Sequence, residues 1–237
     1  MLKRLALLLP ALAATAALAA CSGNDSSDAS SSGDGASTAT APLTSSSAPA
    51  VTCTYTPGGT AARKVSLPPS MPAYTGQVPV TIHTSVGDLQ LTLDADKAPC
   101  TVNSFLSLAK QGYFDNTHCH RMADSGGFQF LQCGDPTGTG SGTPGYSFDD
   151  ELTGDETYPA GTVAMANLGQ PNTNGSQFFL VYGDTSLNPD YTVFGTMDDA
   201  TVKTLKKVAA AGIANPSPED GTGEPKDKVK FLSVTIG

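Results

Sequence analysis

Residues 22–50 contain almost no side chain that could enter a hydrophobic core. Of these 29 residues, 13 are Ser or Thr and six are Ala, and Leu43 is the only large apolar residue among them. Burying such a segment could not offset the conformational entropy that is lost on ordering it. We therefore predict a disordered tether here, and any folded domain must be built from the residues that follow.

The residues before the tether have the pattern of an export signal. Lys3 and Arg4 precede an apolar run, and Leu-Ala-Ala stands directly before Cys21. We interpret residues 1–20 as a removable signal peptide that is too short to span a membrane. Leu-Ala-Ala-Cys also resembles the bacterial lipobox, in which the cysteine is lipidated. We expect residues 21–50 to be a lipidated tether, and the protein to lie outside the cytoplasm, attached to the cell membrane through Cys21. A secreted protein is the alternative.

The remaining chain divides into an arm and one domain. Residues 51–76 contain several prolines and are predicted to form an extended arm, whereas residues 77–237 are long enough for a single core. This domain has nine Lys and Arg against 19 Asp and Glu. A strongly acidic domain without a basic stripe is not expected to bind nucleic acid.

Hydrophobic periodicity predicts mostly strands. Alternating apolar residues on both sides of Val86-Gly87-Asp88 predict a β-hairpin, and residues 232–236 alternate in the same way. Pro99 begins a helical pattern, and a second helix is predicted over residues 198–210, capped by Asp198 or Asp199. Two helices among many short strands favour a closed antiparallel barrel with helical caps.

Four cysteines follow the tether, and in an exported protein an even number favours disulfides. Cys119 and Cys133 flank a predicted hairpin and could be neighbours across its strands, which would leave Cys53 to reach Cys100. Free buried thiols are the alternative.

Three strings that imitate chemical motifs lack the required context. Residues 140–145 match a dinucleotide-binding pattern, but Pro144 lies inside it. His118 and His120 would point to one face of a strand and Cys119 to the other, which does not suit zinc. Ser176 lies in a turn-forming string that lacks a nucleophile context. We therefore predict neither a metal site nor a cofactor.

The most specific signal is a series of short strings in the second half of the chain. They are His120-Arg121, Gln132-Cys133-Gly134-Asp135-Pro136-Thr137-Gly138-Thr139-Gly140, Phe148-Asp149-Asp150-Glu151, Met165-Ala166-Asn167, Asn172-Thr173-Asn174-Gly175-Ser176-Gln177-Phe178-Phe179 and Val193-Phe194-Gly195. In order and spacing the series resembles the cyclophilin family of peptidyl-prolyl cis/trans isomerases over residues 80–237, and most of all its exported or membrane-attached actinobacterial members. The resemblance implies a closed eight-stranded antiparallel β-barrel capped by two α-helices.

The resemblance also implies a set of site residues. Arg121 corresponds to the catalytic arginine of the family, Gln132 to the contact with the substrate carbonyl, and Ala166 with Asn167 to the edge segment that pairs with the peptide. The residues implied for substrate binding are Phe128, Phe130, Gln132, Ala166, Asn167, Gln177, Phe179, Leu187 and Tyr191.

Two regions depart from the family pattern. Ser186 stands where many members have tryptophan, so any cyclosporin binding is expected to be weak, and Tyr191 stands where eukaryotic members have histidine. The hairpin after Arg121 is longer than usual. Counting residues puts Gln129 where a pocket phenylalanine is expected and Phe130 at the next wall position, with Phe128 as an alternative.

The expected function is isomerisation of X-Pro bonds in proline-containing polypeptides. The substrates would be exported or envelope proteins, whose folding the enzyme would assist. A proline-peptide binding module without turnover and an envelope chaperone or scaffold are the alternatives. We expect the protein to be a monomer.

Overall fold

The structure, a computed structural model, describes residues 51–237. The predicted signal peptide, Cys21 and the tether lie outside the described residues. The elements in chain order are β1 (Thr56–Pro57), β2 (Gln77–Thr84), β3 (Gly87–Asp94), α1 (Pro99–Lys110), β4 (Arg121–Ser125), β5 (Phe128–Cys133), β6 (Tyr146–Ser147), β7 (Thr162–Met165), β8 (Phe178–Val181), β9 (Val193–Met197), α2 (Asp199–Ala211), β10 (Ile213–Ala214), β11 (Glu224–Pro225) and β12 (Phe231–Ile236). Neither helix of this described part is long and apolar enough to cross a membrane.

Eight strands form one antiparallel sheet in the order β12-β2-β3-β9-β7-β8-β5-β4. The expected closed barrel is wrong, because within residues 51–237 no ladder joins the edge strands β4 and β12. The segment before β4 instead meets the start of β12 and the residues that lead into it, where the Cys119 N–H donates to the Val229 carbonyl at 3.0 Å and the Phe231 N–H donates to the Thr117 carbonyl at 2.9 Å. The outer edge of β4 is taken by a loop instead, since the Met122 N–H donates to the Gly223 carbonyl at 2.6 Å. The sheet is therefore a half-barrel, with this loop beside β4.

Both predicted helices are present, and each has its first N–H groups satisfied by a carboxylate. The Asp198 side chain caps α2 by accepting from the Thr201 N–H at 2.7 Å. In α1, the Glu151 carboxylate accepts from the backbone N–H groups of Cys100 and Thr101 at 2.9 and 2.8 Å. Because Glu151 lies in the loop that precedes β7, its contacts also connect α1 to that loop.

The predicted hairpin is β2 and β3, and the predicted terminal strand is β12. The pairing of β12 with β2 shifts register between Phe231 and Ser233. This irregularity puts Phe231 fully inside the core and leaves Leu232 half exposed on the outer face.

The arm, residues 51–76, lies against the domain. Tyr55 is buried and its hydroxyl donates to the Cys100 carbonyl at 2.8 Å. Arg63 donates to the carbonyls of Gly112, Tyr113 and Asp115 at 2.7–2.9 Å, just beyond the C-terminal end of α1. These carbonyls belong to the turn that follows the helix, so Arg63 fastens the arm to this turn.

Both predicted disulfides are confirmed in the structure, and free thiols at these positions are not seen. Cys53 is bonded to Cys100, which fastens the arm to the start of α1. Cys119 is bonded to Cys133, which joins the entry of β4 to the end of β5.

Candidate active site

A groove of about 630 Å³ opens on the face of the sheet beside β4, β5 and β8. Its lining residues are Arg121, Ala123, Ser125, Gly126, Phe128, Phe130, Gln132, Ala166, Asn167, Phe179, Leu187, Tyr191, Asp220 and Thr222. All of the residues implied by the resemblance line this groove except Gln177. The fold thus brings together residues from position 121 to position 222 of the sequence.

Strand alternation decides which aromatic residue forms the groove floor. On β5, Phe128, Phe130 and Gln132 share the groove face, while Gln129 points to the other face and donates to Asp124 at 3.2 Å. Phe130 is buried and its ring centroid lies 5.5 Å from that of Phe179. Phe128 lies at the rim with 41% of its surface exposed. Phe130 is therefore the floor and Phe128 belongs to the edge.

The apolar wall is a small cluster separate from the main core. Phe179 packs against Tyr191 with ring centroids 5.6 Å apart, and Leu187 completes this side. Tyr158, buried behind them, accepts a hydrogen bond from the Tyr191 N–H at 3.0 Å. Burial raises the pKa of Tyr158 to about 12, so this phenol stays protonated at neutral pH. It fixes the loop that carries the wall.

The polar end of the groove is the guanidinium of Arg121. Its Nη1 donates to Gln132 Oε1 at 3.2 Å, its Nε to Thr222 Oγ1 at 3.1 Å and its Nη2 to Asp220 Oδ2 at 3.2 Å. The guanidinium carbon also lies 5.3 Å from the Phe130 ring centroid. The side chain keeps 39% exposure. The cation is thus held from several sides and still faces the groove.

A chain of amides continues from this arginine. Gln132 Nε2 donates to Gln177 Oε1 at 2.9 Å, and Gln177 Nε2 donates to the carbonyls of Gly140 and Gly142 at 2.8 and 3.1 Å. Gln177 lines an adjoining pocket of about 300 Å³. Gln132, Ala166 and Asn167 line both spaces, so Gln177 supports the groove from the next pocket.

The glycine-rich string of residues 140–145 is a loop built around one buried carboxylate. Asp135 is fully buried and accepts from the backbone N–H groups of Thr137, Gly140 and Gly142 at 2.7–3.0 Å. Burial alone would raise the pKa of Asp135, but these hydrogen bonds and that of the Thr137 hydroxyl lower it below its ordinary value. A side chain at Gly142 would collide with this carboxylate. The loop therefore presents its carbonyls to Gln177 in a fixed arrangement.

The two neighbouring histidines do not form a metal site. His118 Nε2 lies 3.1 Å from Glu224 Oε1, whereas neither ring nitrogen of the buried His120 has a hydrogen-bond partner. Burial lowers the pKa of His120, which keeps it neutral. Across residues 51–237, no three His, Cys, Asp or Glu side chains come close enough together to hold a metal ion.

An apolar wall next to a fixed cation suits a ligand that combines a hydrocarbon ring with an amide. Comparison with known proteins supports the same interpretation of the groove. The model of the cyclophilin type peptidyl-prolyl cis-trans isomerases matches residues 79–236. The chain belongs to the cyclophilin family.

Curated relatives of this cyclophilin include mycobacterial proteins. It is 45% identical over 199 residues to a probable peptidyl-prolyl cis-trans isomerase B of Mycobacterium tuberculosis strain H37Rv, covering 78% of this chain and 63% of that relative. With the protein of the same description from Mycobacterium leprae it shares 43% identity over 201 residues, covering 78% and 67%. The chain thus spans less than two thirds of the length of the Mycobacterium tuberculosis relative.

Solved structures of cyclophilins share the fold. A cyclophilin type peptidyl-prolyl cis-trans isomerase of Cryptosporidium parvum superimposes with a TM-score of 0.56 at 35% identity, over 68% of this chain and 98% of that one. A second structure of that protein, determined in the presence of the dipeptide Ala-Pro, gives a TM-score of 0.55 at 36% identity over 67% and 98%.

Sequence reasoning missed two side chains of this cyclophilin that touch Arg121. Asp220 and Thr222 lie about 100 positions later in a loop that carries no periodic pattern. The string Asp220-Gly221-Thr222 indicates a turn and nothing more. This turn lies beside Arg121 because Gly223 pairs with Met122.

Proposed function

We propose that this cyclophilin is a peptidyl-prolyl cis/trans isomerase that acts on X-Pro bonds. The observation that carries the proposal is the Arg121 guanidinium, fixed at the edge of an apolar groove whose floor is Phe130 and whose wall includes Phe179. Rotation about an X-Pro amide crosses a barrier of roughly 18–20 kcal/mol because resonance is broken, while the two isomers differ by only about 0.5–1 kcal/mol. Catalysis therefore requires stabilisation of a twisted amide and needs no nucleophile.

The groove can supply this stabilisation. The proline ring would occupy the space between Phe130, Phe179 and Leu187, which holds one side of the amide. As resonance is lost, the proline nitrogen becomes a pyramidal acceptor, and Arg121 can donate to it with an N–H that its present partners leave free. Gln132 would hold the carbonyl of the substrate. The N–H of Ala166 already donates to the Gln177 carbonyl at 3.0 Å, so the peptide backbone would meet this edge segment at Asn167.

A protease-coupled isomerisation assay on an X-Pro tetrapeptide tests this function. Turnover above the uncatalysed rate by the purified protein supports it. Binding of the peptide without any acceleration would instead indicate a proline-peptide binding module or a scaffold.

Leu187→Ala is expected to weaken substrate binding with little effect on the fold, because Leu187 is half-buried in the groove wall and lies outside the main core. Loss of one such contact in an apolar pocket should raise KM about ten-fold. Leu232→Ala is the matched control, since Leu232 is exposed on β12 and does not line the groove. Equal KM values for the two variants would contradict the assignment of the wall.

We also propose that Cys21 is lipidated and attaches the protein to the outer face of the cell membrane, where exported polypeptides would be its substrates. The lipobox-like Leu-Ala-Ala-Cys and the polar tether support this location. The two disulfides are in keeping with an oxidising compartment. Weak cyclosporin binding and a monomeric state stay predictions.

Cys21→Ser is expected to move the protein from the membrane fraction to the soluble fraction, because stable anchoring needs more than one acyl chain or a second signal, and a lipidated cysteine would supply the chains. Fractionation with immunoblotting and intact mass measure this change. Membrane association and a lipid mass that persist in the variant would refute the anchor.

A further inference from the structure

We propose that Asp220 and Thr222 are positioning residues for Arg121, which hold its guanidinium in the orientation that isomerisation requires. This inference rests on the proposed function. It assigns a role to the loop between β10 and β11. This loop lies along the free edge of β4, where a closed barrel would have its next strand.

The two side chains and Arg121 form a closed triangle of hydrogen bonds. Arg121 donates through Nε to the Thr222 hydroxyl and through Nη2 to the Asp220 carboxylate. The Thr222 hydroxyl in turn donates to the same carboxylate, 2.9 Å from Oδ1 and 3.1 Å from Oδ2. A planar guanidinium held at two of its nitrogens cannot rotate about its long axis without breaking one contact.

The triangle leaves donors for the substrate. A guanidinium has five N–H groups, and Thr222, Asp220 and Gln132 each accept from one of them. One N–H remains on Nη1 and one on Nη2. The loop therefore selects which donors face the groove and does not occupy all of them.

The loop is itself anchored, so it can impose an orientation. The Ser217 N–H donates to the Thr222 carbonyl at 2.8 Å, and the Gly223 N–H donates to the Met122 carbonyl at 3.1 Å. Met122 directly follows Arg121 in the chain, so this backbone pairing holds the loop in a fixed position relative to the arginine. The carboxylate stays charged at neutral pH, because hydrogen bonds from Thr222 and then from Arg121 lower the pKa of Asp220 to about 2.

Asp220→Asn in the full protein tests the proposal, because asparagine can still accept from the Thr222 N–H while losing the charge that faces Arg121. Exposed ion pairs contribute little to stability, so we expect the fold to persist and kcat to fall about two- to five-fold. KM should stay unchanged, since the apolar wall is untouched. Thr222→Val should reduce kcat to a similar extent.

Glu224→Gln is the matched control. Glu224 lies on β11, close in sequence to the same loop, and its carboxylate pairs with Lys228 at 3.0 Å and with His118. The substitution removes one negative charge, as Asp220→Asn does, but does not remove a partner of Arg121. We expect wild-type kcat for this variant.

A double-mutant cycle separates positioning from a general effect. In an Arg121→Ala background, measured at raised protein concentration, Asp220→Asn should have no further effect on kcat. In the NMR spectrum, the Arg121 Nε–H should exchange faster with solvent in Asp220→Asn than in the wild type and in Glu224→Gln.

Unchanged or increased kcat in Asp220→Asn would overturn the positioning role, as would an equal loss in the Arg121→Ala background or in Glu224→Gln. A wild-type protein without turnover would refute the proposed function. A kcat that stays unchanged when Asp220 or Thr222 is substituted would refute only the positioning role.

Discussion

Replacing Arg121 with alanine is expected to lower the rate of X-Pro isomerisation by a factor of about 100–1,000, the usual effect of losing one preorganised donor to a transition state. The reason is that Arg121 is the charged donor that faces the apolar wall, and its partners already fix it there before substrate arrives. The loss should appear in kcat, because the donor is needed only when the proline nitrogen has become an acceptor. The protease-coupled assay measures it.

Arg121→Lys should recover only part of the lost rate, because an ammonium cannot contact Gln132, Thr222 and the substrate with the planar fork of a guanidinium. Arg63→Ala is a control for the loss of an arginine, since Arg63 lies in the arm and donates to the carbonyls beyond α1. It should retain wild-type kcat although its stability is reduced. An Arg121→Ala protein with native circular dichroism and near-wild-type turnover would defeat the mechanism.

Removing the Cys53–Cys100 disulfide by the double change Cys53→Ala/Cys100→Ala is expected to lower the free energy of unfolding by about 4 kcal/mol. The bond closes a loop between residues 47 positions apart, so its loss frees a long segment of the unfolded chain. It also removes one attachment of the arm, whose Tyr55 and Arg63 contact α1 and the residues that follow this helix. Urea unfolding under non-reducing conditions measures the change.

The companion variant Cys119→Ala/Cys133→Ala removes a bond between residues only 14 apart, and it should lower the free energy of unfolding by about 3 kcal/mol. Cys119 and Cys133 flank Arg121 and Gln132, so we expect the loss of their disulfide also to lower kcat. The Cys53→Ala/Cys100→Ala protein should keep its turnover as long as it is folded. Equal unfolding midpoints for wild type and Cys53→Ala/Cys100→Ala would contradict the role of the arm.

Local elements followed directly from the sequence because short-range rules govern them. Pro99 marks the start of α1 and Asp198 caps α2, and both depend on backbone groups within one turn. The alternation around Gly87 predicted the hairpin of β2 and β3, since side chains alternate between the faces of any strand. The same reasoning failed at the end of the chain, where the register shift before Ser233 exposes Leu232.

Nine residues of the groove were implied by the family resemblance, and the sheet register brings Arg121, Phe130 and Phe179 to one face. Which aromatic residue forms the floor was left open among Phe128, Gln129 and Phe130, because counting along a lengthened hairpin does not reveal where its strands pair. The pairing of Ala123 with Phe130 decides this in the structure. Phe130 then faces the groove and Gln129 faces away.

The sequence by itself determined the family, the helices and the hairpin, all of which depend on residue types at short or motif-defined spacing, whereas the two disulfide pairs were one of its open alternatives. Only the tertiary structure decided that the sheet stops at β4 as a half-barrel, that a loop takes the free edge, and that Asp220 and Thr222 meet Arg121 there. The physical reason is that an edge N–H such as that of Met122 can donate to any correctly placed carbonyl. A backbone contact of this kind leaves no mark in the side-chain pattern, so it is visible only once the chain is folded.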